Sequence, residues 1–386
     1  MTETKLRSIN LPPLSAYIHI PWCVQKCPYC DFNSHESNGK ELPELDYLYA
    51  LAEDLESDLE LVQGRKIESI FFGGGTPSLF SDIAIGNLIS LFDKVVGLSE
   101  NCEITLEANP GTFEAEKFAG YRELGVNRLS IGIQSFEQEK LEKLGRIHSG
   151  KEAINAFTMA RDAGFENINL DLMHGLPNQS ADQALADLHQ AIELNPEHIS
   201  WYELTIEPNT QYYKRPPALP AESILASITD EGQKLLESAG YIRYETSAYS
   251  KQNRECQHNI NYWQFGDYLG IGAGAHSKVT TPDGIYRLAK TRAPNHYLNT
   301  KDNYRISENA IDKKDQAFEF LMNALRLLKG SDFSTFIERT QLSAEQAEQA
   351  IDQLCAKGYL DRDATNFWPN QKGVLYLNNC LMEIMG

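Results

Sequence analysis

The sequence lacks positive charge and long apolar runs. Its 386 residues carry 35 Lys and Arg against 54 Asp and Glu, giving a formal net charge of −19, and the basic residues are scattered. A surface of this sign repels a phosphate backbone, so nucleic acid is not an expected partner. No run of 18 apolar residues occurs and residues 1–17 contain no apolar segment, so we expect neither a membrane-spanning helix nor a secretory signal peptide.

Cysteine is also scarce. The chain has seven cysteines, an odd number, and without an export signal we expect free thiols in the reducing cytoplasm. Three of the seven nevertheless lie close together in WCVQKCPYC (22–30). A disulfide framework does not explain three clustered thiols, whereas metal or redox chemistry does.

Up to about residue 245, short β-rich runs alternate with amphipathic helical patterns. The predicted strands are AYIHI (16–20), SIFFGG (69–74), EITLEA (103–108), RLSIGI (128–133), INLDLM (168–173) and HISWYEL (198–204). Helical patterns between them include 43–62, 77–96 and 181–194. Strand-then-helix repetition predicts right-handed crossovers and a parallel sheet, either doubly wound or a partial barrel, with its ligand site at the carboxyl ends of the strands.

The alternation ends after residue 245. Residues 246–305 are rich in Tyr, Asn, Gly and charge without a clear period, which predicts a connector or an added subdomain. Helical patterns at 313–328 and 343–360, a β-like stretch at 364–370 and a final helix then predict a mostly helical, winged-helix-like domain. The acidic charge argues against a DNA-binding role for that domain.

The three clustered cysteines, Cys23, Cys27 and Cys30, directly follow the first strand, at the expected ligand edge of the sheet. Three thiolates can hold three irons of a [4Fe–4S] cluster and leave the fourth iron open, as catalytic metal sites leave an open position. Zinc is the main alternative, with His19 or His35 as a fourth ligand. Three unrelated buried thiols fit the spacing and the polar neighbours poorly.

Polar groups also follow the next strands. The three glycines of FFGGGTP (71–77) let the backbone approach a ligand closely. A tight turn before Pro77 at the start of a helix is the alternative explanation of these glycines. Glu107 ends the third strand and can accept from two ribose hydroxyls. Gln134 and Asp171 end the fourth and fifth strands, and Arg146 can bind a carboxylate through its planar fork. Each is unremarkable alone, but their coincidence at one edge favours a site.

CxxxCxxC after a first strand, followed by a glycine-rich strand end, resembles the radical S-adenosylmethionine (SAM) superfamily. The resemblance implies that the methionine part of SAM chelates the open iron and that the reduced cluster cleaves SAM to a 5′-deoxyadenosyl radical. It implies that Gly74, Gly75 and Thr76 hydrogen-bond the methionine amino group. Tyr17 and Tyr29 match positions that contact the cofactor, although ordinary packing explains them nearly as well.

A narrower resemblance covers the chain from about residue 12 to its end. It is carried in order by YIHIPWCVQKCPYCDFNSH, GGGTPS, EANPGT, NRLSIGIQSF, LGRIHS, NLDLMHGLP and TIEPNT. These motifs resemble the HemW family of haem chaperones, relatives of the oxygen-independent coproporphyrinogen III oxidases. The resemblance implies an α/β fold, a TIM-like partial (β/α)6 barrel with a helical C-terminal domain. We predict a barrel over 12–245, a connector over 246–305 and a C-terminal domain over 306–386.

Two features separate the chaperones from the oxidases. The oxidases carry a further cysteine two residues after the third ligand, where this chain has Phe32. CQHNINYWQF (256–265) contains HNxxY, the haem-binding signature of the chaperones. The resemblance implies that His258 ligates haem iron, that Asn259 positions the histidine, and that Tyr262 ligates, stacks or hydrogen-bonds. A satisfied surface histidine and a metal pair of Cys256 with His276 are the alternatives.

We therefore expect a cytoplasmic chaperone, rather than an enzyme, that carries a [4Fe–4S] cluster and SAM and delivers haem to recipient haemoproteins. Membrane-bound respiratory enzymes are compatible with this role as recipients, and they would bring the protein to the inner face of the membrane. A homodimer is compatible with the sequence as well. The alternative is an oxidase that decarboxylates the propionates of coproporphyrinogen III. A third hypothesis is a zinc-stabilised interaction protein with an inert barrel.

Overall fold

The structure is a computed structural model that describes residues 10–111, 115–301 and 303–384. The expectation that the first residues form no signal peptide falls mainly on residues outside these ranges, as does Thr112 of the EANPGT motif. In the part of the chain that is described, no helix is both long and apolar enough to cross a bilayer.

The strands and helices follow in chain order. The strands are β1 Leu14–Ile20, β2 Trp22–Cys23, β3 His35–Glu36, β4 Ile67–Gly74, β5 Leu98–Ala108, β6 Arg128–Gln134, β7 Ile168–His174, β8 His198–Glu203, β9 Ile242–Glu245, β10 Ala248–Ser250, β11 Asp267–Ile271, β12 His276–Thr281, β13 Gly284–Lys290, β14 Arg305–Ala310, β15 Ser331–Asp332, β16 Leu360–Arg362 and β17 Asn366–Pro369. The α-helices are α1 Glu44–Ser57, α2 Asp82–Val95, α3 Phe118–Glu123, α4 Gln138–Lys143, α5 Gly150–Asp162, α6 Ala181–Leu194, α7 Gln211–Lys214, α8 Glu222–Ser238, α9 Gln257–Trp263, α10 Pro294–Leu298, α11 Gln316–Ala324, α12 Phe333–Thr340, α13 Ala344–Ala356, α14 Gln371–Leu375 and α15 Leu377–Met382.

A sheet of twelve strands forms the centre of the molecule, in the order β14-β13-β12-β11-β1-β4-β5-β6-β7-β8-β10-β9. The run from β11 to β8 is parallel, and antiparallel strands extend it on both sides. The six strands predicted from the sequence are β1, β4, β5, β6, β7 and β8. The predicted α/β fold, a partial barrel of parallel strands, is therefore confirmed.

Serine caps start the crossover helices. The Ser81 side chain accepts a hydrogen bond from the backbone of Ala84 at the start of α2. Ser149 and Ser180 form reciprocal capping boxes with Glu152 and Gln183 at the starts of α5 and α6. Each cap satisfies backbone donors that a helix start leaves unpaired, so the chain leaves the strand and enters the helix at a defined residue.

The region after β10 contributes to the same sheet. β11 pairs in parallel with β1, Leu14 opposite Asp267, and β12 to β14 follow in antiparallel order. All five residues of β11 are buried, so DYLGI shows no inside–outside alternation and its glycine weakens the strand pattern. The division at residues 245 and 305 stays a prediction.

A buried ion cluster ties this added sheet to α1. Lys290 of β13 contacts Asp54, and its Nζ lies 2.8 Å from Asp58 Oδ2. All three side chains are fully buried. Because an unpaired buried charge is strongly destabilising, the three groups depend on one another.

The C-terminal region has its own core. β15, β17 and β16 form a small antiparallel sheet beside α11 to α15. Phe320 and Phe336 stack with ring centroids 4.5 Å apart, and Phe367 packs against Phe336. The predicted mostly helical, winged-helix-like region is confirmed as helices with a small three-stranded sheet.

Candidate functional site

A first cavity of about 470 Å³ opens beside the carboxyl ends of the parallel strands. The three clustered thiols, Cys23, Cys27 and Cys30, line it. Nine further residues singled out from the sequence line it as well: Tyr29, Gly74, Gly75, Thr76, Glu107, Gln134, Arg146, Asp171 and Asn259. Apart from Tyr17, the structure thus brings the residues expected to bind the cluster and SAM to one place.

The cysteine loop is closed at its base by two short strands. In β2 and β3, Trp22 pairs with His35 and Cys23 pairs with Glu36. Within the loop, the Cys30 backbone N–H donates to the Cys27 carbonyl at 3.1 Å. Burial raises the pKa of the Cys23 thiol, so the thiolate needs a compensating positive charge, which a metal supplies.

Glycines 74 and 75 let the end of β4 pack directly on the cysteine strand. The Gly75 backbone N–H donates to the Ile20 carbonyl at 2.8 Å. A Cβ atom on Gly75 would lie 2.5 Å from the Trp22 carbonyl oxygen. Gly74 has a φ of +120°, and a Cβ there would lie 2.6 Å from the His19 ring. Both positions therefore require glycine on packing grounds, and both leave backbone along the cavity wall.

Two buried carboxyl groups, Glu107 and Asp171, line the first cavity. Burial and the nearby Asp171 raise the pKa of Glu107 to about 8, and its Oε2 accepts a hydrogen bond from the Gly74 backbone at 3.2 Å. Burial also raises the pKa of Asp171, which accepts from Ser130 at 2.9 Å and Asn169 at 2.8 Å. Buried acids with raised pKa values suit a ligand that brings hydroxyl donors and positive charge.

Arg146 connects the opposite wall to the cysteine loop. Its Nη2 donates to Asn109 Oδ1 and to the Gly132 carbonyl, each at 2.6 Å, and its Nη1 lies 3.8 Å from Cys27 Sγ. Asn109 in turn donates to Thr76 Oγ1 at 3.0 Å. The guanidinium thus places positive charge next to the Cys27 thiol. The sequence predicted that it binds a carboxylate, whereas in the structure it donates to an amide oxygen and a backbone carbonyl.

Gln134 occupies a strained backbone position. Its φ of 68° is unusual for a residue with a side chain, and the ladder between β6 and β7 shifts register there. Its Oε1 accepts a hydrogen bond from the Tyr202 hydroxyl at 2.8 Å. Such strain costs on the order of 1–3 kcal/mol and clusters at functional sites, which fits the placement of Gln134 at the cavity.

The donor set suits an iron–sulfur cluster better than a zinc ion. Across residues 10–111, 115–301 and 303–384, no three or more His, Cys, Asp or Glu side chains are arranged to hold a single metal ion. Of the two candidate fourth zinc ligands, His19 lies within 3.0 Å of the Tyr17 hydroxyl through Nδ1 and of the Asn33 carbonyl through Nε2. The other candidate, His35, lies 3.3 Å from Asn33 Oδ1 through Nε2. Both rings therefore already have partners, whereas three thiols around one cavity match the thiolate ligands of a cluster.

A second cavity of about 550 Å³ adjoins the first. The two share Phe32, Gly74 and Glu107 in their walls. Tyr17, His258 and Tyr262 line the second cavity, together with His19, Asn33, Tyr268, Gly274, Ala275, His276 and Arg292. The HNxxY motif is therefore split, because Asn259 lines the first cavity and the other two motif residues line the second.

His258 is held by a chain of hydrogen bonds. Its Nδ1 lies 3.0 Å from Ser69 Oγ, and the Ser69 hydroxyl donates to Ser15 Oγ at 2.8 Å. Asn261 Nδ2 also donates to Ser15 Oγ at 2.8 Å. Because the Ser69 proton goes to Ser15, Nδ1 of His258 carries its own proton, and Nε2 is left with the free lone pair.

Burial, with a smaller effect of Arg128, lowers the pKa of His258 to about 3. The imidazole is therefore neutral at neutral pH. A buried carboxylate also fixes the start of α9, because Glu103 accepts from the backbone N–H of His258 at 3.1 Å and of Gln257 at 3.2 Å. This is the favourable end of a helix for negative charge. His258 thus has the protonation state that a metal ligand needs.

The alternative metal pair is not brought together. Cys256 donates its thiol to Glu103 Oε1 at 3.5 Å and does not line the second cavity, whereas His276 does. In the described chain, Asn259 makes no side-chain hydrogen bond to His258, and its positioning role stays a prediction. The ring is instead contacted by Ser69, which Ser15 links to Asn261. Sequence reasoning missed Ser69 and Asn261, because a serine in a strand carries no local signal of a partner 189 residues away.

Comparisons with known proteins agree with this architecture. The family model described as Radical SAM superfamily matches residues 17–191, and that described as HemN C-terminal domain matches residues 311–376. A solved structure of coproporphyrinogen III oxidase (HemN) from Escherichia coli matches with a TM-score of 0.81 at 22% identity, covering 100% of this chain and 93% of that chain. At that identity the likeness shows the fold alone.

Curated relatives are closer in sequence. Heme chaperone HemW of Escherichia coli (strain K12) is 52% identical over 374 residues, which cover 97% of this chain and 98% of the relative. Heme chaperone HemW of Haemophilus influenzae is 52% identical, with 96% and 98% coverage, and that of Bacillus subtilis (strain 168) is 33% identical, with 96% and 99% coverage. The chain therefore belongs to the heme chaperone HemW family of the radical SAM superfamily.

Proposed function

We propose that this protein is a haem chaperone that holds haem in the second cavity through His258 and carries a [4Fe–4S] cluster and SAM in the first. One observation supports this best: a cavity lined by three thiols shares a wall with a cavity lined by a histidine whose Nδ1 is engaged by Ser69 and whose Nε2 has no hydrogen-bond partner among the described residues. The names of the curated relatives point to the same activity.

On the haem side, His258 would be the iron ligand. A ligating histidine typically donates its other ring N–H to a fixed acceptor, which orients the ring and raises its basicity. Ser69 supplies that acceptor. Tyr262 and Tyr268, whose ring centroids lie 4.9 Å apart, offer an aromatic wall for a planar ligand.

On the SAM side, Cys23, Cys27 and Cys30 would hold the cluster. The backbone of Gly74, Gly75 and Thr76 would face the methionine part of SAM. The remaining contacts would come from Tyr17, Tyr29, Glu107, Gln134, Arg146 and Asp171. When bound, the reduced cluster supplies the electron that cleaves SAM.

The recipients would be haemoproteins, among them membrane-bound respiratory enzymes, which the protein would meet at the inner face of the membrane. We also propose that the protein forms a homodimer. We place the protein in the cytoplasm because none of the seven cysteines, all of which the structure describes, forms a disulfide, and this suits a reducing compartment. These features rest on the resemblance and on cysteine chemistry.

The test is haemin titration of the anaerobically reconstituted protein, followed by the Soret band. We expect His258→Ala to lose the wild-type spectrum and affinity, and Cys27→Ala to lose iron and acid-labile sulfide. Cys102→Ala is the matched control, because Cys102 is buried outside both cavities and should retain cluster and haem.

Other outcomes contradict the proposal in distinguishable ways. Turnover of coproporphyrinogen III to protoporphyrinogen would assign the alternative oxidase activity. Colourless protein that contains zinc and no sulfide would support the zinc-stabilised interaction protein. Equal haemin affinity and equal spectra in wild type and His258→Ala would remove His258 from the site.

A further inference from the structure

The second cavity carries a positive charge, although the chain as a whole is strongly acidic. Arg292 lines it, and Glu107 is the acidic residue among its lining side chains in the described chain. His19 and His276 also line it, but burial lowers the pKa of both rings, so they add no charge at neutral pH. The pKa of Glu107 is raised to about 8, so this carboxyl is mostly protonated at neutral pH. The cavity therefore carries net positive charge in a protein whose formal net charge is −19.

Arg292 provides that charge. It is exposed, and within the described residues its guanidinium forms neither a hydrogen bond nor an ion pair. Other arginines nearby are paired: Arg287 bridges Glu319 and the Tyr268 hydroxyl, and Arg305 contacts Asp58. Arg287 and Arg305 are thus occupied by ion pairs within the protein, whereas the Arg292 guanidinium is available to a ligand.

The backbone that carries Arg292 is nevertheless fixed. Asn33, in the cysteine loop, donates from Nδ2 to the Arg292 carbonyl and to the Ala273 carbonyl, each at 2.9 Å. A Cβ atom on Gly274 would lie 2.3 Å from Asn33 Nδ2, so the loops are in close contact. A free side chain on an anchored backbone is the arrangement expected of a preorganised binding group.

His276 stands beside Arg292 at the start of β12. Its ring, like the Arg292 guanidinium, has no hydrogen-bond partner among the described residues. Burial and the charges of Arg292 and Arg287 lower its pKa, which places these groups within electrostatic reach of one another. An anion between the two side chains would be attracted by the Arg292 guanidinium and could accept a hydrogen bond from the N–H of the neutral His276 ring.

We propose that Arg292, assisted by His276, binds the carboxylate groups of the ligand in the second cavity. This inference rests on the proposed function, in which that ligand is haem and the carboxylates are its two propionates. Arginine is suited to the task because its planar fork makes two parallel charge-assisted hydrogen bonds to one carboxylate. His258 would fix the iron and Arg292 the propionate edge, so that two contacts define the orientation of the ring.

The test compares haemin with haemin dimethyl ester, in which both propionates are esterified and uncharged. We expect Arg292→Gln to weaken haemin binding by about tenfold, the loss of one charged hydrogen-bonding group, and to change binding of the ester little. Arg292→Lys, which keeps the charge without the fork, should fall between wild type and Arg292→Gln. Arg215→Gln, at an exposed arginine outside both cavities, is the matched control for loss of one positive charge.

Each result decides the question. Haemin affinity that is unchanged in Arg292→Gln but lost in His258→Ala would overturn this inference and leave the haem site intact. An equal loss of haemin and ester binding in Arg292→Gln would also overturn it, because the effect would not depend on carboxylates. If neither Arg292→Gln nor His258→Ala changes haemin binding, the proposed haem site itself fails.

Discussion

Replacing Ser69 with alanine isolates the hydrogen bond that prepares His258. Ser69 lies on β4 and is almost fully buried. Its Oγ lies 3.0 Å from His258 Nδ1, and because its own proton goes to Ser15, it accepts the hydrogen bond from the Nδ1–H group. Alanine keeps the strand and removes only the hydroxyl. The Nδ1–H group is then left buried without an acceptor.

Two effects of this change can be estimated separately. A buried donor without a partner costs about 1–3 kcal/mol of unfolding free energy. Haem affinity should fall by roughly 10–100-fold, as it does when an outer hydrogen-bond partner of a metal-ligating histidine is removed. The second effect arises because nothing then keeps the proton on Nδ1, and the tautomer protonated at Nε2 cannot bind iron.

The assay pairs urea unfolding with haemin titration on the same preparations. Ser250→Ala is the matched control, because Ser250 is also a buried serine on a strand but its Oγ has no hydrogen-bond partner in the described chain. We expect Ser250→Ala to lose neither stability nor haem affinity.

The reasoning would be refuted by Ser69→Ala protein that is destabilised as expected yet binds haemin with wild-type affinity and spectrum. In that case the hydrogen bond serves the fold and does not prepare the ligand. A loss of affinity shared by Ser250→Ala would instead attribute the effect to general destabilisation.

Three further predictions concern the pH response, the buried ions and the glycine contact. Because the pKa of His258 falls from an ordinary 6.5 to about 3 on folding, only the unfolded chain takes up a proton as pH drops below 6.5, so stability is lost on acidification. At pH 5 this one group costs about 2 kcal/mol, and urea unfolding at pH 5 and 7.5 should show that His258→Gln lacks this part of the pH dependence. Lys290→Met leaves two buried carboxylates without their shared lysine, so urea unfolding should show a free energy of unfolding lowered by about 3–5 kcal/mol. The control Lys234→Met, at an exposed surface pair, should cause no measurable change. Equal effects of the two substitutions would contradict the buried-ion argument. Gly75→Ala places a Cβ atom 2.5 Å from the Trp22 carbonyl oxygen and should displace the adjoining thiol of Cys23. Iron and sulfide analysis should then show a depleted cluster. Full retention of iron and sulfide would disprove the requirement for close packing at Gly75.

The sequence predicted those parts of the site that follow from local pattern and from one topological rule. β4 to β8 each contribute residues to the first cavity, because parallel strands joined by helices point the same way. The sequence alone therefore predicts that Gly74, Glu107 and Asp171 lie together. Tyr17 is the exception, since its side chain lines the second cavity rather than the first.

The haem motif could be found but not interpreted in the same way. HNxxY identifies His258 and Tyr262, and the helical spacing predicts a shared face, which the second cavity bears out. The pattern gave no indication that Asn259 faces a different cavity or that Ser69 is the partner of the histidine. Hydrogen bonds between residues far apart in sequence leave no periodic signal in either segment.

The amino-acid sequence by itself determined the order of strands and helices, the three-thiol loop and the motif that carries His258, because hydrophobic periodicity, capping residues and ligand spacing are encoded within a few residues of each other. Only the tertiary structure decided that β11 completes the parallel run beside β1 and that two cavities share the wall at Phe32 and Glu107. It also decided that the Arg292 guanidinium lies at one of them without a partner among the described residues. Those outcomes depend on strand pairing, burial and charge neutralisation between distant segments, and these energies arise only once the chain has folded.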